Sequence, residues 1–178
     1  LPPEVLSTAM KVHQKYFSTI NEDNKLAPYF IFVSNSLPEL NRDAKVIEGN
    51  ERVLKARLSD ASFFWKTDLS QTFDIWNDKL KNVIFYEGLG TLYDKTLRLS
   101  ELSKEFLLEF NVEASLASQA ALLSKADLVS EMVGEFPDLQ GIMGGYYSDL
   151  VGNNYEVSKA IKEHYQPKGL SDQIPKTN

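Results

Sequence analysis

Over residues 43–66 the apolar side chains recur with helical period and without interruption. At about 100° per residue, Val46, Ile47, Val53, Leu54, Leu58, Ala61, Phe64 and Trp65 fall on one arc. Lys45, Arg52, Lys55 and Lys66 fall on the opposite arc, with Glu48 and Glu51 among them, and Arg57 projects within the apolar arc. A helix this long with an apolar stripe requires a second surface on which to bury it. The preceding residues supply β-favouring segments. Lys15-Tyr16-Phe17-Ser18-Thr19-Ile20 and Tyr29-Phe30-Ile31-Phe32-Val33 flank the polar turn cluster Asn21-Glu22-Asp23-Asn24, so residues 1–40 read as a strand-rich hairpin. Pro28 suits the first position of the second strand, where no ladder donor is needed.

Downstream the pattern is helical. A short helix is expected over residues 69–80, followed by a strand, Val83-Ile84-Phe85-Tyr86. Gly88-Leu89-Gly90 is the best boundary between domains, and Thr91 a suitable N-cap. Leu92, Leu99, Leu102, Phe106, Leu107 and Phe110 share a face of a helix over residues 91–110. A central Ala- and Leu-rich helix covers residues 114–133. A third opens at Pro137 and carries Gly141, Gly144 and Gly145, and a fourth covers residues 155–165, ahead of Pro167. The expected class is α+β, mostly α: an N-terminal β-hairpin with a long helix in residues 1–88, then a helical bundle in residues 89–178. The chain begins with Leu, and both ends fall at Pro-containing breaks, so a piece of a longer polypeptide is expected.

Composition removes whole classes of chemistry. The 178 residues contain no Cys, which excludes disulfides, zinc–thiolate sites and a Cys nucleophile. His13 and His164 are the only histidines, too few for a histidine-rich metal site. The apolar runs are far short of the roughly 20 residues a membrane span needs. Nineteen Lys and Arg against 25 Asp and Glu give a net charge of −6, which argues weakly against nucleic acid as a partner. No phosphate-binding glycine loop, nucleophile elbow or His-Glu-Xaa-Xaa-His helix is present; Gly141-Ile142-Met143-Gly144-Gly145 has no strand before it and no Lys-Ser/Thr after it.

A few charged residues stand out by position. Lys95 projects among Leu92, Leu99, Leu102 and Phe106, and Asp127 among Leu116, Ala120 and Leu123. Either each head group snorkels out of its apolar stripe, or the two meet as an ion pair between helices. His164 lies on an apolar side with Val157 and Ile161, as a rim or core residue. Lys11, His13 and Lys15, with Lys25 nearby, form a modest basic spot. The basic face of the long helix is the best polyanion-facing surface, although Glu48 and Glu51 stand four residues before Arg52 and Lys55 and can pair with them.

Several long segments resemble the β subunit of bacterial glycyl-tRNA synthetase. They are Met10-Lys11-Val12-His13-Gln14-Lys15-Tyr16-Phe17, Phe30-Ile31-Phe32-Val33-Ser34-Asn35, and Gly49-Asn50-Glu51-Arg52-Val53-Leu54-Lys55-Ala56-Arg57-Leu58-Ser59-Asp60. Further on are Leu89-Gly90-Thr91-Leu92-Tyr93-Asp94-Lys95, Ser124-Lys125-Ala126-Asp127-Leu128, and Met132-Val133-Gly134-Glu135-Phe136-Pro137-Asp138-Leu139-Gln140-Gly141. The resemblance runs in order along nearly the whole chain. It implies a soluble, cytoplasmic, two-subunit ligase whose α subunit binds ATP and Mg²⁺ and charges tRNA with glycine. The larger β subunit would support tRNA binding and assembly. This chain would be an internal fragment of it, binding no cofactor or metal itself and lacking the anticodon-binding tail.

The same resemblance implies that residues 1–88 end a B3/B4-like domain and that residues 89–178 begin a degenerate HD-type domain. Active HD phosphohydrolases bind metal through a first His, a His-Asp pair and a later Asp. Those positions hold Lys95 and Ala126-Asp127, with His164 as a faint echo of a later motif. A protonated Lys and an Ala cannot ligate a cation, so the alternative, a metal-dependent HD phosphohydrolase, lacks its ligands. The expected replacement is a Lys95–Asp127 charge pair in the old cleft. Expected contacts to tRNA or a partner are Lys11, His13, Lys15, Lys45, Arg52, Lys55, Arg57 and Lys66, and no residue is assigned to catalysis.

Overall fold

The computed structural model describes residues 1–35, 40–106, 113–172 and 174–175, without the side chains of residues 40 and 41. The chain falls into two compact units, Leu1–Lys66 and Thr67–Asn178.

In the first unit, residues expected to be extended are helical. α1 (Pro3–Thr8) has proline at its start and Glu4 in its first turn, and it runs on into a π-helical turn, Ala9–His13. A proline at the first position and an acid in the first turn are strong helix starters, and here they prevail over β-favouring neighbours. β1 (Phe17–Ile20) and β2 (Leu26–Ile31) then pair antiparallel, with Phe17 opposite Ile31 and Ser18 opposite Phe30. The turn is the expected polar cluster: Asn21 Oδ1 accepts from the amides of Asp23 and Lys25 at 3.1 and 2.9 Å. β2 starts two residues earlier than expected, so Pro28 lies inside the strand. A two-stranded sheet has only edges, and there a missing N–H costs little. α2 (Leu40–Leu69) extends past both expected ends. Its Leu54 and Leu58 pack with Met10 and with Tyr16, whose ring stacks on Phe30 at 4.8 Å. The Tyr16 hydroxyl donates to Asn50 Oδ1. On the other face of the hairpin, Phe17, Tyr29, Ile31 and Val33 are exposed.

The second unit begins in the last turn of α2 and continues through α3 (Phe73–Leu80). Gly88-Leu89-Gly90, expected as a boundary, is the turn of a hairpin joining β3 (Ile84–Tyr86) to β4 (Gly90–Thr91). Residue 88 therefore lies inside this unit, and the break in compactness comes at residue 66. Thr91 does cap α4 (Leu92–Phe106): its Oγ1 accepts from Asp94 N, and Asp94 Oδ2 accepts from Thr91 N at 2.7 Å, a reciprocal capping box. Leu107 and Phe110 lie outside the described residues.

The expected central helix over residues 114–133 is broken into three pieces. α5 (Ala114–Leu123) ends at Ser124, a 3-10 turn covers Ala126–Val129, and α6 (Glu131–Glu135) restarts from an N-cap at Ser130, whose Oγ accepts from Val133 N. Pro137 opens only a 3-10 turn, Pro137–Leu139; α7 (Ile142–Leu150) starts after Gly141 and α8 (Tyr155–Glu163) follows. α4 lies on α5, α5 on α8, and α8 on α7. Trp76, Leu80, Met132, Leu139, Met143, Tyr147, Val157 and Ile161 are buried in this unit. None of the described helices is long and apolar enough to cross a membrane.

One carboxylate ties these pieces together. Asp68, in the last turn of α2 and 1 % exposed, accepts from the amides of Glu131 and Met132 at 2.9 and 3.0 Å and from the Tyr147 hydroxyl at 2.6 Å. The first two are amides that open α6 and have no partner within it. Burial, reinforced by Asp68, pushes the Tyr147 phenol far above its ordinary range. Replacing Asp68 by Ala removes the acceptor of two backbone amides and of the buried Tyr147 hydroxyl and is expected to cost about 3 kcal/mol of unfolding free energy, against about 1 kcal/mol for Tyr147→Phe. Urea unfolding of both variants checks the ranking; equal costs would show that the two amides are satisfied elsewhere.

Candidate functional site

Asp127, in the 3-10 turn after α5, is fully buried. Its Oδ2 accepts from Gly141 N at 2.6 Å and Gly144 N at 2.9 Å. Both donors depend on glycine. Gly141 has φ +79°, in the left-handed region, and a Cβ on Gly144 would come within 2.9 Å of Ile161 and 3.1 Å of Asp127 Oδ2. Asp127 Oδ1 is buried with no hydrogen-bond partner among the described residues. Burial pushes the carboxyl up to about 6, against the pull of the Gly144 and Gly141 amides and the charge of Lys125.

Lys125 is the cation beside this carboxylate, and helical periodicity does not single it out. It is 7 % exposed. Its Nζ lies 2.7 Å from His164 Nε2 and 3.8 Å from the centre of the Tyr165 ring. His164 Nδ1 lies 2.7 Å from the carbonyl of Ile161, a pure acceptor. Nδ1 therefore carries the proton, and Nε2 accepts from the lysine. Burial first, and Lys125 second, hold the imidazole down to about 4, while burial and then the charge of Lys95 bring the Lys125 ammonium down to about 8. Burial likewise raises the Tyr165 phenol to about 12.

Lys95 is not Asp127's partner. Its Nζ sits 4.0 Å from the centre of the Phe85 ring, and no ion pair joins it to Asp127 among the described residues. The expected pair assumed an unbroken helix through residue 133. The break at Ser124 turns Asp127 toward the start of α7 and leaves Lys125 on the side of His164. Lys95, Lys125 and His164 instead line one open groove of about 520 Å³ between α4, α5 and the end of α8, walled by Leu99, Leu102 and Phe106.

The residues present do not fit a metal ion. One Asp127 oxygen is taken by two amides, the charge felt at the carboxylate is a lysine, and among the described residues no three His, Cys, Asp or Glu side chains group as ligands.

The basic residues of the first unit lie elsewhere. Lys11, Lys15, Lys45, Arg52, Lys55 and Lys66 are exposed, and His13 and Arg57 are half-buried. Lys15 Nζ donates to Val12 O at 2.9 Å. Arg52 pairs with Glu48 at 3.0 Å with both side chains exposed, an ion pair of little energetic weight. Asp68 and Tyr147 carry no signal in the sequence. Their partners are 63 to 79 residues away, so no local pattern marks them.

The folded-state value of His164 lies below the 6.5 of the free side chain, so the fold favours its neutral form. Its contribution to stability is complete above about pH 6.5 and is lost as pH falls toward about 4. Asp127, raised from 3.8 to about 6, acts in the opposite sense, favouring the fold at the acid end. The wild-type chain should therefore lose stability relative to His164→Gln as pH falls from 6.5 to 4. Urea titrations at both pH values measure this difference, and a constant difference would mean that the imidazole titrates normally.

A buried carboxylate committed to backbone amides, beside a lysine-lined groove, defines a helical module attached in sequence to a hairpin-and-helix unit. The sequence model of the glycyl-tRNA synthetase beta subunit family matches residues 1–178. The chain is 46 % identical over 178 residues to the glycine–tRNA ligase beta subunit of Rickettsia prowazekii, covering 100 % of this chain and 26 % of that protein. The corresponding beta subunits of Coxiella burnetii and Acinetobacter baumannii are 51 % and 48 % identical over 99 % of this chain and 25 % of each relative. The chain belongs to the glycyl-tRNA synthetase beta subunit family, and it spans about a quarter of the length of these relatives.

Proposed function

We propose that this chain is a non-catalytic part of a glycine–tRNA ligase β subunit, supporting tRNA docking and assembly with the α subunit for ATP-dependent charging of tRNA with glycine in the cytoplasm. The observation that carries this is the identity of 46–51 % to relatives named as that subunit, along essentially the whole chain. In this reading ATP and Mg²⁺ belong to the α subunit. The hairpin and long helix are the remnant of a B3/B4-like domain, and the helical unit is a degenerate HD-type domain. By the family resemblance the first two HD histidines would fall near Lys95 and at Ala126, and neither side chain is a metal ligand, which is why the domain is read as degenerate.

The exposed lysines of α2 are the proposed contact with the tRNA backbone. Replacing Lys45, Lys55 and Lys66 together by Ala in the intact two-subunit synthetase should weaken tRNA binding without sequence preference. The slope of log affinity against log salt should fall by about 1 for each phosphate that is no longer neutralised. Unchanged affinity and slope would remove α2 from the interface.

A further inference from the structure

The groove between α4, α5 and the end of α8 combines apolar walls with two lysines. Its walls, Leu99, Leu102 and Phe106, are apolar, and Leu102 and Phe106 are exposed. Its lining also holds Lys95 and the buried Lys125. Neither ammonium is hydrogen-bonded to a carboxylate among the described residues. Lys125 meets the neutral Nε2 of His164 and the face of Tyr165, and Lys95 meets the face of Phe85. Lys95, Lys125 and His164 line the same groove, and the charge of Lys95 lowers the other two groups. Two ammonium groups therefore line one apolar groove; the charge of Asp127 offsets part of that of Lys125, and no carboxylate of the described residues is hydrogen-bonded to either. A ligand anion in the groove would give both lysines a partner. The volume, about 520 Å³, suits a ligand of small-molecule size.

We propose that this groove is a nucleotide subsite: a phosphate between Lys95 and Lys125, with its base laid against Leu99, Leu102 and Phe106. The ligand is a phosphate joined to a flat, largely apolar body, either a free nucleotide or an unpaired nucleotide of RNA. Lysines serve phosphate as point charges, and aromatic and aliphatic walls accept any base face. His164 is a positioning residue: by accepting from Lys125 it aims that ammonium without neutralising it. The RNA source rests on the tRNA-ligase reading above; the phosphate-and-base chemistry does not.

The test uses the 178-residue chain with three probes: AMP, a fluorescein-labelled hexauridylate, and decanoate. Calorimetry reads AMP and decanoate, and fluorescence anisotropy reads the RNA. Binding of AMP or hexauridylate is expected, weakened about five- to tenfold by Lys95→Gln, with the salt slope for the RNA lower by about 1. Leu102→Glu should abolish it. Lys95 is half-buried and makes no hydrogen bond among the described residues, so Lys95→Gln should keep the wild-type circular dichroism spectrum and remain informative even if Lys125→Gln unfolds. AMP binding without RNA binding assigns the site to free nucleotides, and RNA binding assigns it to unpaired RNA. No binding of either at millimolar concentration, equal affinity in Lys95→Gln, or binding of decanoate alone overturns the proposal. Failure here is separable from failure of tRNA docking, because the α2 variants are read on the intact synthetase with tRNA.

Discussion

Asp127 gathers two backbone amides, from Gly141 and Gly144, at a single buried oxygen, and the arrangement of the helical unit follows from that contact. To bring the carboxylate there, the chain must leave α5 at Ser124 and turn through Ala126–Val129. To present both amides, it must pass Gly141 in a left-handed conformation and begin α7 at Ile142. The backbone carbonyl of Asp127 also accepts from Ser130, both through its amide and through its hydroxyl at 2.7 Å, so the same residue anchors the start of α6. Asp68 repeats the solution at the first two amides of α6. Carboxylates that are costly to bury are retained here because backbone donors at helix starts would otherwise be unsatisfied.

This division of labour explains what the sequence made legible. The long helix, the hairpin turn at Asn21, the Thr91 cap and the last helix rest on neighbours within a few residues, and each could be located from pattern and capping chemistry. The breaks after α5 and before α7 could not. An Ala- and Leu-rich stretch through Leu123 continues with residues able to remain helical, and the reason to stop lies in a carboxylate that finds its donors 14 and 17 residues later. An unbroken helix there also places Lys95 opposite Asp127 and passes over Lys125. At the N-terminus the difference is of another kind: Pro3 and Glu4 are a readable helix start, and in the fold they prevail over the β-favouring residues that follow. Of the three residues expected in one cleft, Lys95 and His164 line the same groove, whereas Asp127 turns to the amides at the start of α7.

The charge of the chain gains meaning from this arrangement. A net charge of −6 describes an average, while the lysines of α2 and the groove lysines are local surpluses in separate units. Local fields, not the total, decide where a polyanion approaches. The two surpluses also differ in character. The lysines of α2 are solvated and sensitive to salt, whereas Lys125 is desolvated and geometrically fixed, suited to orienting one group rather than attracting many.

Gly144 and Gly145 lie against α8 so closely that a Cβ on Gly145 would stand 2.7 Å from Lys162 Cβ and 3.0 Å from the carbonyl of Ser158. Two adjacent glycines also make α7, nine residues long, a poor helix former in its own right. Its helicity is therefore borrowed from its neighbours: what holds α7 helical is its packing on α8 and the carboxylate at its start, more than the propensity of its own residues.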